Sequence, residues 1–141
     1  MVLYAKDIVE KDFLSLPPET DALSAAKLMA DRKHGFAVVV SKGQPEGVVT
    51  EWDYLKAIAM EKDLSSVTLR EMMTGSPISV SPNDGIDFVA RLMAEKGIRR
   101  VLVIEDGKVL GVITAKTVLA RMKEYLEKIS SQIARMQVPT F

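Results

Sequence analysis

The sequence predicts a mixed α/β fold of the α+β kind, in which two β-α-β-β-α units pack face to face about a pseudo-twofold axis. Three observations predict it. Residues 5 to 59 align with residues 69 to 123 without a gap, and 12 of the 55 pairs are identical. Each copy holds two apolar runs joined by a glycine-containing turn, which indicates a β-hairpin. A long apolar stripe after the second copy predicts an extended C-terminal helix.

The first strand and first helix of each copy follow from short-range patterns. An apolar run, residues 13–16 in one copy and 78–80 in the other, is followed within two residues by a proline. Next, apolar residues recur at helical spacing, and Leu28-Met29-Ala30 aligns with Leu92-Met93-Ala94. This periodicity predicts an amphipathic helix whose methionines belong to the core.

The hairpin and second helix complete each copy. The runs 37–40 and 101–104 are entirely apolar, which is typical of strands buried on both faces. Their return strands end at Thr50 and Thr114, where a second helix is predicted to begin.

These limits give repeat 1 over residues 5–62 and repeat 2 over residues 69–123. One copy alone is small for an independent core, so the two copies are expected to cover each other. A C-terminal helix extension is predicted over residues 124–138. This helix either packs back on its own domain or forms the interface of a homodimer. Its apolar stripe consists of Val118, Leu119, Met122, Tyr125, Leu126, Ile129, Ile133 and Met136.

Composition excludes several classes of function. The 141 residues include 19 basic and 19 acidic side chains, so no net field attracts nucleic acid or an anionic membrane. There is no cysteine and one histidine, which excludes disulfides, thiolate catalysis and a histidine-built metal site. No signal peptide and no apolar run near the roughly 18 residues of a membrane span are found. We therefore expect a cytoplasmic protein without a metal or cofactor.

Two related motifs carry a family resemblance. Gly47-Val48-Val49-Thr50-Glu51-Trp52-Asp53 and Gly111-Val112-Ile113-Thr114-Ala115-Lys116-Thr117 occupy equivalent places in the two copies. Together with the stretch Gly97 to Val103 that enters a buried strand, they resemble the CBS domain family. One Gly-x-x-Thr motif is a weak signal, whereas two at equivalent places in a gapless repeat are specific.

The resemblance implies a function and an assembly. Paired CBS repeats bind adenosine derivatives in the clefts between them and commonly form disc-shaped dimers. It implies a non-catalytic, energy-sensing regulatory module that binds AMP, with ADP or ATP as further ligands and S-adenosylmethionine as the alternative. The expected partners are a second copy of the chain and an effector protein acting in trans.

The same resemblance assigns candidate residues to a nucleotide. Asp53 occupies the ribose position, where a carboxylate accepts hydrogen bonds from both hydroxyls. Thr50, at the start of a helix, would face phosphate, and Thr114 is its counterpart. Arg99 and Arg100 are at the entrance of a buried strand, where an arginine grips two phosphate oxygens.

The remaining candidates are basic or line an apolar slot. Lys116 matches a basic position that reaches phosphate in some relatives. Its place in the first turn of a helix is unfavourable for a cation unless an anion is near. The adenine ring is expected to meet apolar side chains and backbone groups of Ser15, Leu16, Ile78, Ser79, Val80 and Pro82.

Structural alternatives exist for these residues. Thr50 and Asp53 also form a capping-box pattern, in which each satisfies a backbone group at the start of the helix. Strand side chains alternate, so one of Arg99 and Arg100 is expected to point into solvent.

The two copies are not equivalent at their candidate sites. Thr117 replaces Asp53 in the second copy, and Gly35-Phe36 replaces the two arginines in the first. The sequence therefore predicts one good nucleotide site per chain.

Two other classes of function fit the sequence less well. An enzyme is disfavoured because no Ser/His/Asp or Cys/His set occurs and no carboxylate pair meets in the repeat alignment. An interaction or nucleic-acid module without a nucleotide is the remaining alternative, and the zero net charge speaks against nucleic acid.

Overall fold

The computed structural model describes residues 3–136, which form two small sheets with helices around them. The helices are α1 (Ala5–Ile8), α2 (Ala22–Arg32), α3 (Glu51–Ala59), α4 (Leu69–Met72), α5 (Ile86–Lys96) and α6 (Ala115–Arg135). The strands are β1 (Ser15–Leu16), β2 (Phe36–Ser41), β3 (Gln44–Thr50), β4 (Thr74–Gly75), β5 (Ser79–Val80), β6 (Arg100–Glu105) and β7 (Lys108–Thr114).

The two sheets are near copies of each other. The first has the order β1-β2-β3-β4 and the second the order β5-β6-β7. In both, the short first strand is parallel to the next, which pairs antiparallel with its hairpin partner. Both hairpins turn through two residues of positive φ, Lys42-Gly43 and Asp106-Gly107. Two such residues make a type I′ turn, whose twist matches that of the strands. The predicted β-α-β-β-α order is confirmed.

The helix that follows the first strand is delimited by capping residues. At its start the Asp21 carboxylate accepts a hydrogen bond from the Ser24 amide at 2.9 Å. At its end Lys33 is left-handed with φ of 56°, and Gly97 holds the equivalent place after α5 with φ of 64°. A left-handed residue here lets its amide satisfy carbonyls of the last turn.

The central strands are buried on both faces, as predicted. One side of β2 places Ala37 and Val39 in the core of repeat 1, and Val101 and Val103 of β6 fill the core of repeat 2. The other faces of the two sheets meet each other through an inter-repeat cluster of Val38, Leu102 and Val112.

Each repeat is completed by a short helix that precedes the other repeat along the chain. Ala5 and Ile8 of α1 are buried in the core of repeat 2, while Leu69 and Met72 of α4 are buried in the core of repeat 1. The Ala5 amide donates to the Asp84 carbonyl at 2.8 Å, and the Leu69 amide donates to the Thr20 carbonyl at 2.9 Å. The linear alignment of the repeats did not predict this exchange.

Several predicted limits need correction. The first strands are shorter than 13–16 and 78–80, because only two residues in each pair with the next strand. The C-terminal helix runs to Arg135, with Met136 as its C-cap, and residues 137 and 138 of the predicted extension lie outside the described part of the chain. Within residues 3–136, no helix is long and apolar enough to cross a membrane.

Candidate functional site

A cavity of about 330 Å³ opens between the two sheets. This volume falls in the range of roughly 300–1,000 Å³ that small-molecule sites occupy. Its lining is apolar at the bottom and polar at the entrance, and consists of Phe36, Val48, Thr50, Thr74, Ser76, Pro77, Ile78, Ile98, Arg99, Arg100, Leu102 and Val112. The apolar part continues the inter-repeat cluster, so both repeats are needed to form it.

The start of α3 brings a helix N-terminus to this cavity. Thr50 is the N-cap of α3 and lines the cavity wall. The Asp53 carboxylate accepts hydrogen bonds from the Thr50 amide at 2.8 Å and from the Thr50 hydroxyl at 3.3 Å, through the same oxygen Oδ2. Its other oxygen, Oδ1, is 3.6 Å from the Lys56 ammonium. The capping interpretation therefore describes the local hydrogen bonding of Asp53.

A half-buried tyrosine holds this helix against its neighbour. The Tyr54 hydroxyl donates to the Ala22 carbonyl at 2.7 Å, which fastens α3 to α2. Burial raises the pKa of Tyr54 to about 12, and the charges of Asp21 and Asp53 contribute in the same direction. The phenol is therefore neutral at physiological pH and keeps its donor proton for this bond.

The two arginines reach the cavity from the start of β6. The Arg100 guanidinium packs over the Phe36 ring, 4.9 Å from its centroid, and its Nη2 is 3.3 Å from Oε1 of Glu51. Arg99 also lines the cavity and is exposed. Among residues 3–136, Arg99 has no ion-pair partner within 4.0 Å. An adjoining depression shares Thr50, Arg99 and Arg100 with the cavity and also includes Glu51 and Trp52.

Four of the predicted residues converge here. Thr50, Ile78, Arg99 and Arg100 all line the cavity. Asp53 lies behind Thr50 with a side chain only 4% exposed, and it is not part of the lining. Its prediction as a ribose ligand stays a prediction.

The other predicted residues lie outside the cavity lining. Lys116 is exposed in the first turn of α6, and the Thr114 hydroxyl accepts from the Thr117 amide at 3.1 Å. Ser15 and Leu16 belong to the first sheet on β1. The predicted residues after Ile78 are not part of the lining: Val80 packs into the core of repeat 2, Pro82 is buried, and Ser79 is exposed on β5.

Sequence reasoning missed the segment that enters repeat 2. Thr74, Ser76 and Pro77 line the cavity next to Ile78. A signal was available in the repeat alignment, since Pro77 is aligned with the much larger Phe13. The alignment gives no direct sign that this segment crosses between the repeats.

The position that the repeat alignment relates to the cavity has different polar and bulky residues from those of the cavity. Phe13 stands where the cavity has Pro77, and it packs against the inter-repeat cluster. Glu10 replaces Thr74, and its carboxylate accepts a hydrogen bond from the hydroxyl of Thr117. The pseudo-symmetric position therefore has a bulkier side chain and lacks the two arginines, and one site per chain stays a prediction.

Over the described range 3–136, no three His, Asp or Glu side chains come together as metal ligands would. The same part of the chain contributes no Asp, Glu or His to the cavity lining.

Comparison with known proteins agrees with this architecture. The CBS domain family model matches the chain twice, over residues 5–60 and 69–124. An uncharacterized protein of Methanopyrus kandleri is 27% identical over 134 residues, which cover 93% of this chain and 68% of that protein. An L-aspartate semialdehyde sulfurtransferase of Methanocaldococcus jannaschii is 31% identical over 115 residues, which cover 77% of this chain but only 22% of the enzyme.

Solved structures give the same result. The CBS domain pair of protein MJ0100, in complex with 5′-methylthioadenosine and S-adenosyl-L-methionine, is 26% identical with a TM-score of 0.80, covering 89% of this chain and 99% of that one. A CBS domain protein of Pyrobaculum aerophilum complexed with AMP is 25% identical with a TM-score of 0.76, covering 86% of this chain and 99% of that one. With two matched repeats, the predicted fold and a cavity between the sheets, this chain belongs to the CBS domain family.

Proposed function

We propose that this chain is a non-catalytic regulatory module that binds an adenine nucleotide, AMP in the first place, in the cavity between its two repeats. The observation that carries the proposal is the combination of an apolar cavity with Thr50 at a helix N-terminus and two arginines at the entrance. Such a cavity suits a flat apolar base at one end and an anionic group at the other.

The lining suggests how the nucleotide would lie. The base would lie among the apolar lining residues Pro77, Ile78 and Val112. Its phosphate would meet Arg99 near the positive end of the α3 dipole, where Thr50 lines the cavity. The ribose would then lie near Asp53, whose Oδ1 is not used by the cap and could accept from a hydroxyl after a small adjustment of the Thr50 turn.

The charges favour a phosphate over S-adenosylmethionine. S-adenosylmethionine carries a cationic sulfonium, which Arg99 and Arg100 repel, whereas AMP presents a dianion to them. Both kinds of ligand are named for solved CBS relatives, AMP for the Pyrobaculum aerophilum protein and S-adenosyl-L-methionine with 5′-methylthioadenosine for the MJ0100 pair.

The cavity lining supports a binding role rather than catalysis. It offers hydroxyls and guanidinium groups but, over residues 3–136, no group that acts as a general base at neutral pH. A sensor works by differential affinity: the ligand favours one arrangement of the repeats, and a partner responds to that arrangement. The proposal includes a cytoplasmic location and an effector protein acting in trans.

Exposed apolar side chains on equivalent helices support a second copy of the chain as a partner. Leu55 and Ile58 of α3 align with Leu119 and Met122 of α6, and all four are exposed. A face that is apolar in both repeats favours association over solvation. We propose a homodimer that buries this face.

Calorimetric titration with AMP, ADP, ATP, S-adenosylmethionine and 5′-methylthioadenosine tests the ligand. We expect AMP to bind, and we expect Arg99→Ala to weaken its affinity by roughly tenfold or more, since hydrogen bonds between charged groups are the strong ones. Asp53→Ala should also weaken binding.

Asp21→Ala is the matched control for Asp53→Ala. Both carboxylates cap a helix of repeat 1, but Asp21 caps α2, away from the cavity lining. Each substitution removes a cap worth about 0.5–2 kcal/mol of stability, so only a role in binding separates them. If no adenosine compound binds, the chain is an interaction module without a nucleotide, and the proposal is wrong.

A further inference from the structure

An ion pair joins the two repeats at the entrance of the cavity. Glu51 is the first residue of α3 in repeat 1, and Arg100 is the first residue of β6 in repeat 2. Their side chains approach to 3.3 Å between Oε1 and Nη2. Arg100 lines the cavity, whereas Glu51 lines the adjoining depression and not the cavity, so the carboxylate lies beside a cationic site.

The two partners are held to different degrees. Arg100 is 25% exposed and stacks on Phe36, whereas the Glu51 side chain is 59% exposed. Stacking and partial burial fix the guanidinium in place, while an exposed carboxylate exchanges readily with water. When an anion enters the cavity, Glu51 is therefore the member that leaves.

Glycine at position 35 makes room for the carboxylate in its paired position. A Cβ added to Gly35 would come within 2.6 Å of Cδ of Glu51. The backbones are also joined, since the Glu51 amide donates to the Gly35 carbonyl at 3.1 Å. Any side chain at position 35 would push Glu51 away from Arg100.

The pseudo-symmetric position lacks this ion pair. Ala115 stands in the place of Glu51, and Phe36 stands in the place of Arg100. The ion pair is thus confined to the side of the molecule that carries the cavity.

We propose that Glu51 is a specificity-determining residue that competes with the phosphate of the ligand for Arg100 and penalises each additional phosphate. The proposal rests on the adenine-nucleotide function above and deepens it. With Glu51 in place, the entrance carries two positive charges and one negative charge, which suits a monophosphate. A longer phosphate chain extends toward the depression where the carboxylate is, and like charges repel there. Phosphate binding also releases Glu51 from the other repeat, which couples occupancy to the contact between repeats.

The test compares Glu51→Gln with the wild type for adenosine, AMP, ADP and ATP at low ionic strength, by calorimetric titration. We expect AMP affinity to rise roughly two- to fivefold, the range that losing one exposed ion pair allows. The gain should grow from AMP to ADP to ATP, and adenosine affinity should stay constant. Glu51 is at a helix N-terminus, where its loss costs little stability, so the variant should fold.

Two further variants make the result specific. Glu105→Gln removes an exposed carboxylate at the far end of β6, roughly 16 Å along the strand from Arg100, and should leave every affinity unchanged. Gly35→Ala keeps all charges but displaces Glu51, and should raise AMP affinity in the same direction as Glu51→Gln.

The outcomes separate the two proposals. If wild-type chain binds AMP but Glu51→Gln changes adenosine, AMP and ATP affinity by one common factor, or by none, the role of Glu51 is refuted and the nucleotide function stands. If the wild type binds none of the four compounds, both proposals fail together.

Discussion

The two motif glycines, Gly47 and Gly111, lie against the backbone of the segments that follow α4 and α1. A Cβ added to Gly47 would be 2.5 Å from the Thr74 carbonyl oxygen, and one added to Gly111 would clash with the Glu10 carbonyl oxygen. Gly47 pairs with Gly75 across β3 and β4. The glycine of the Gly-apolar-apolar-Thr motif therefore allows a neighbouring backbone segment to approach the strand closely. The sequence context of the glycine alone does not reveal this reason.

Gly111→Ala should destabilise the protein. The added methyl group meets backbone atoms, so the strand or the entering segment must shift, at a cost of about 1–3 kcal/mol. Gly75→Ala is the control, because nothing lies within 4 Å of its added Cβ and its φ is not positive. Urea unfolding should place Gly75→Ala within about 0.5 kcal/mol of wild type. Equal midpoints for the two variants would contradict the close approach.

Thr50 and Asp53 show that one sequence pattern is compatible with two different roles. The spacing from Thr50 to Asp53 predicts a capping box and, through the family resemblance, a ribose and phosphate site. The hydrogen bonds confirm the cap, because the Thr50 amide and hydroxyl both donate to Asp53. A cap and a ligand contact use the same side chains at a helix N-terminus, so one pattern serves both roles.

At the scale of elements, the exchanged helices α1 and α4 tie the repeats together. Each is only four residues long and cannot be stable as an isolated helix. The apolar side chains of α1 lie in the core of repeat 2, and those of α4 lie in the core of repeat 1. Arg70 of α4 adds ion pairs to Glu19 and Glu46 of repeat 1. The hydrogen bond that its guanidinium donates to Glu19, together with these charges, raises the pKa of the guanidinium.

Ile8→Ala should cost about 2–5 kcal/mol, the range for truncating a buried isoleucine. Ile8 is 4% exposed and belongs to the core of repeat 2, so the loss should appear first in the amide exchange of β6 and β7. Leu23→Ala truncates a side chain that is 39% exposed and belongs to none of the core clusters, and should cost markedly less than Ile8→Ala. Loss of protection in β2 and β3 instead would show that α1 serves repeat 1.

At the scale of the whole molecule, the stripe on α6 is an apolar surface that remains exposed in the single chain. Its residues Leu119, Met122, Leu126, Ile133 and Met136 are exposed, whereas Val118 is buried in the core of repeat 2. With Ile129, the exposed residues alternate at spacings of three and four, which is the pattern of a coiled-coil seam. The stripe is thus not covered by its own domain, and a second copy is the proposed cover.

Leu126→Glu should convert the proposed dimer into a monomer. A charge in the middle of an apolar seam is buried without a partner, which is strongly unfavourable. Lys128→Glu changes charge by more but lies beside the stripe on the same helix, and should leave the dimer intact. Light scattering coupled to size exclusion measures both. A wild-type chain that is monomeric at all concentrations, or a Leu126→Glu variant that stays dimeric, would rule out this seam.

The sequence by itself determined the repeat, its strand and helix order, and the family. These properties follow from local signals, since hydrophobic periodicity, turn residues and motif spacing act over a few residues. It also placed Thr50, Ile78 and the two arginines in one candidate site.

Only the tertiary structure decided what lies between the repeats. The exchange of α1 and α4, the cavity wall that includes Thr74, Ser76 and Pro77, and the pair of Glu51 with Arg100 join residues far apart in sequence. Contacts of this kind depend on how two sheets pack, and a pattern read along one chain carries no record of that packing. In the structure, the two clefts differ because bulky Phe13 lies on one side, whereas a cavity opens beside Arg100 and Glu51 on the other.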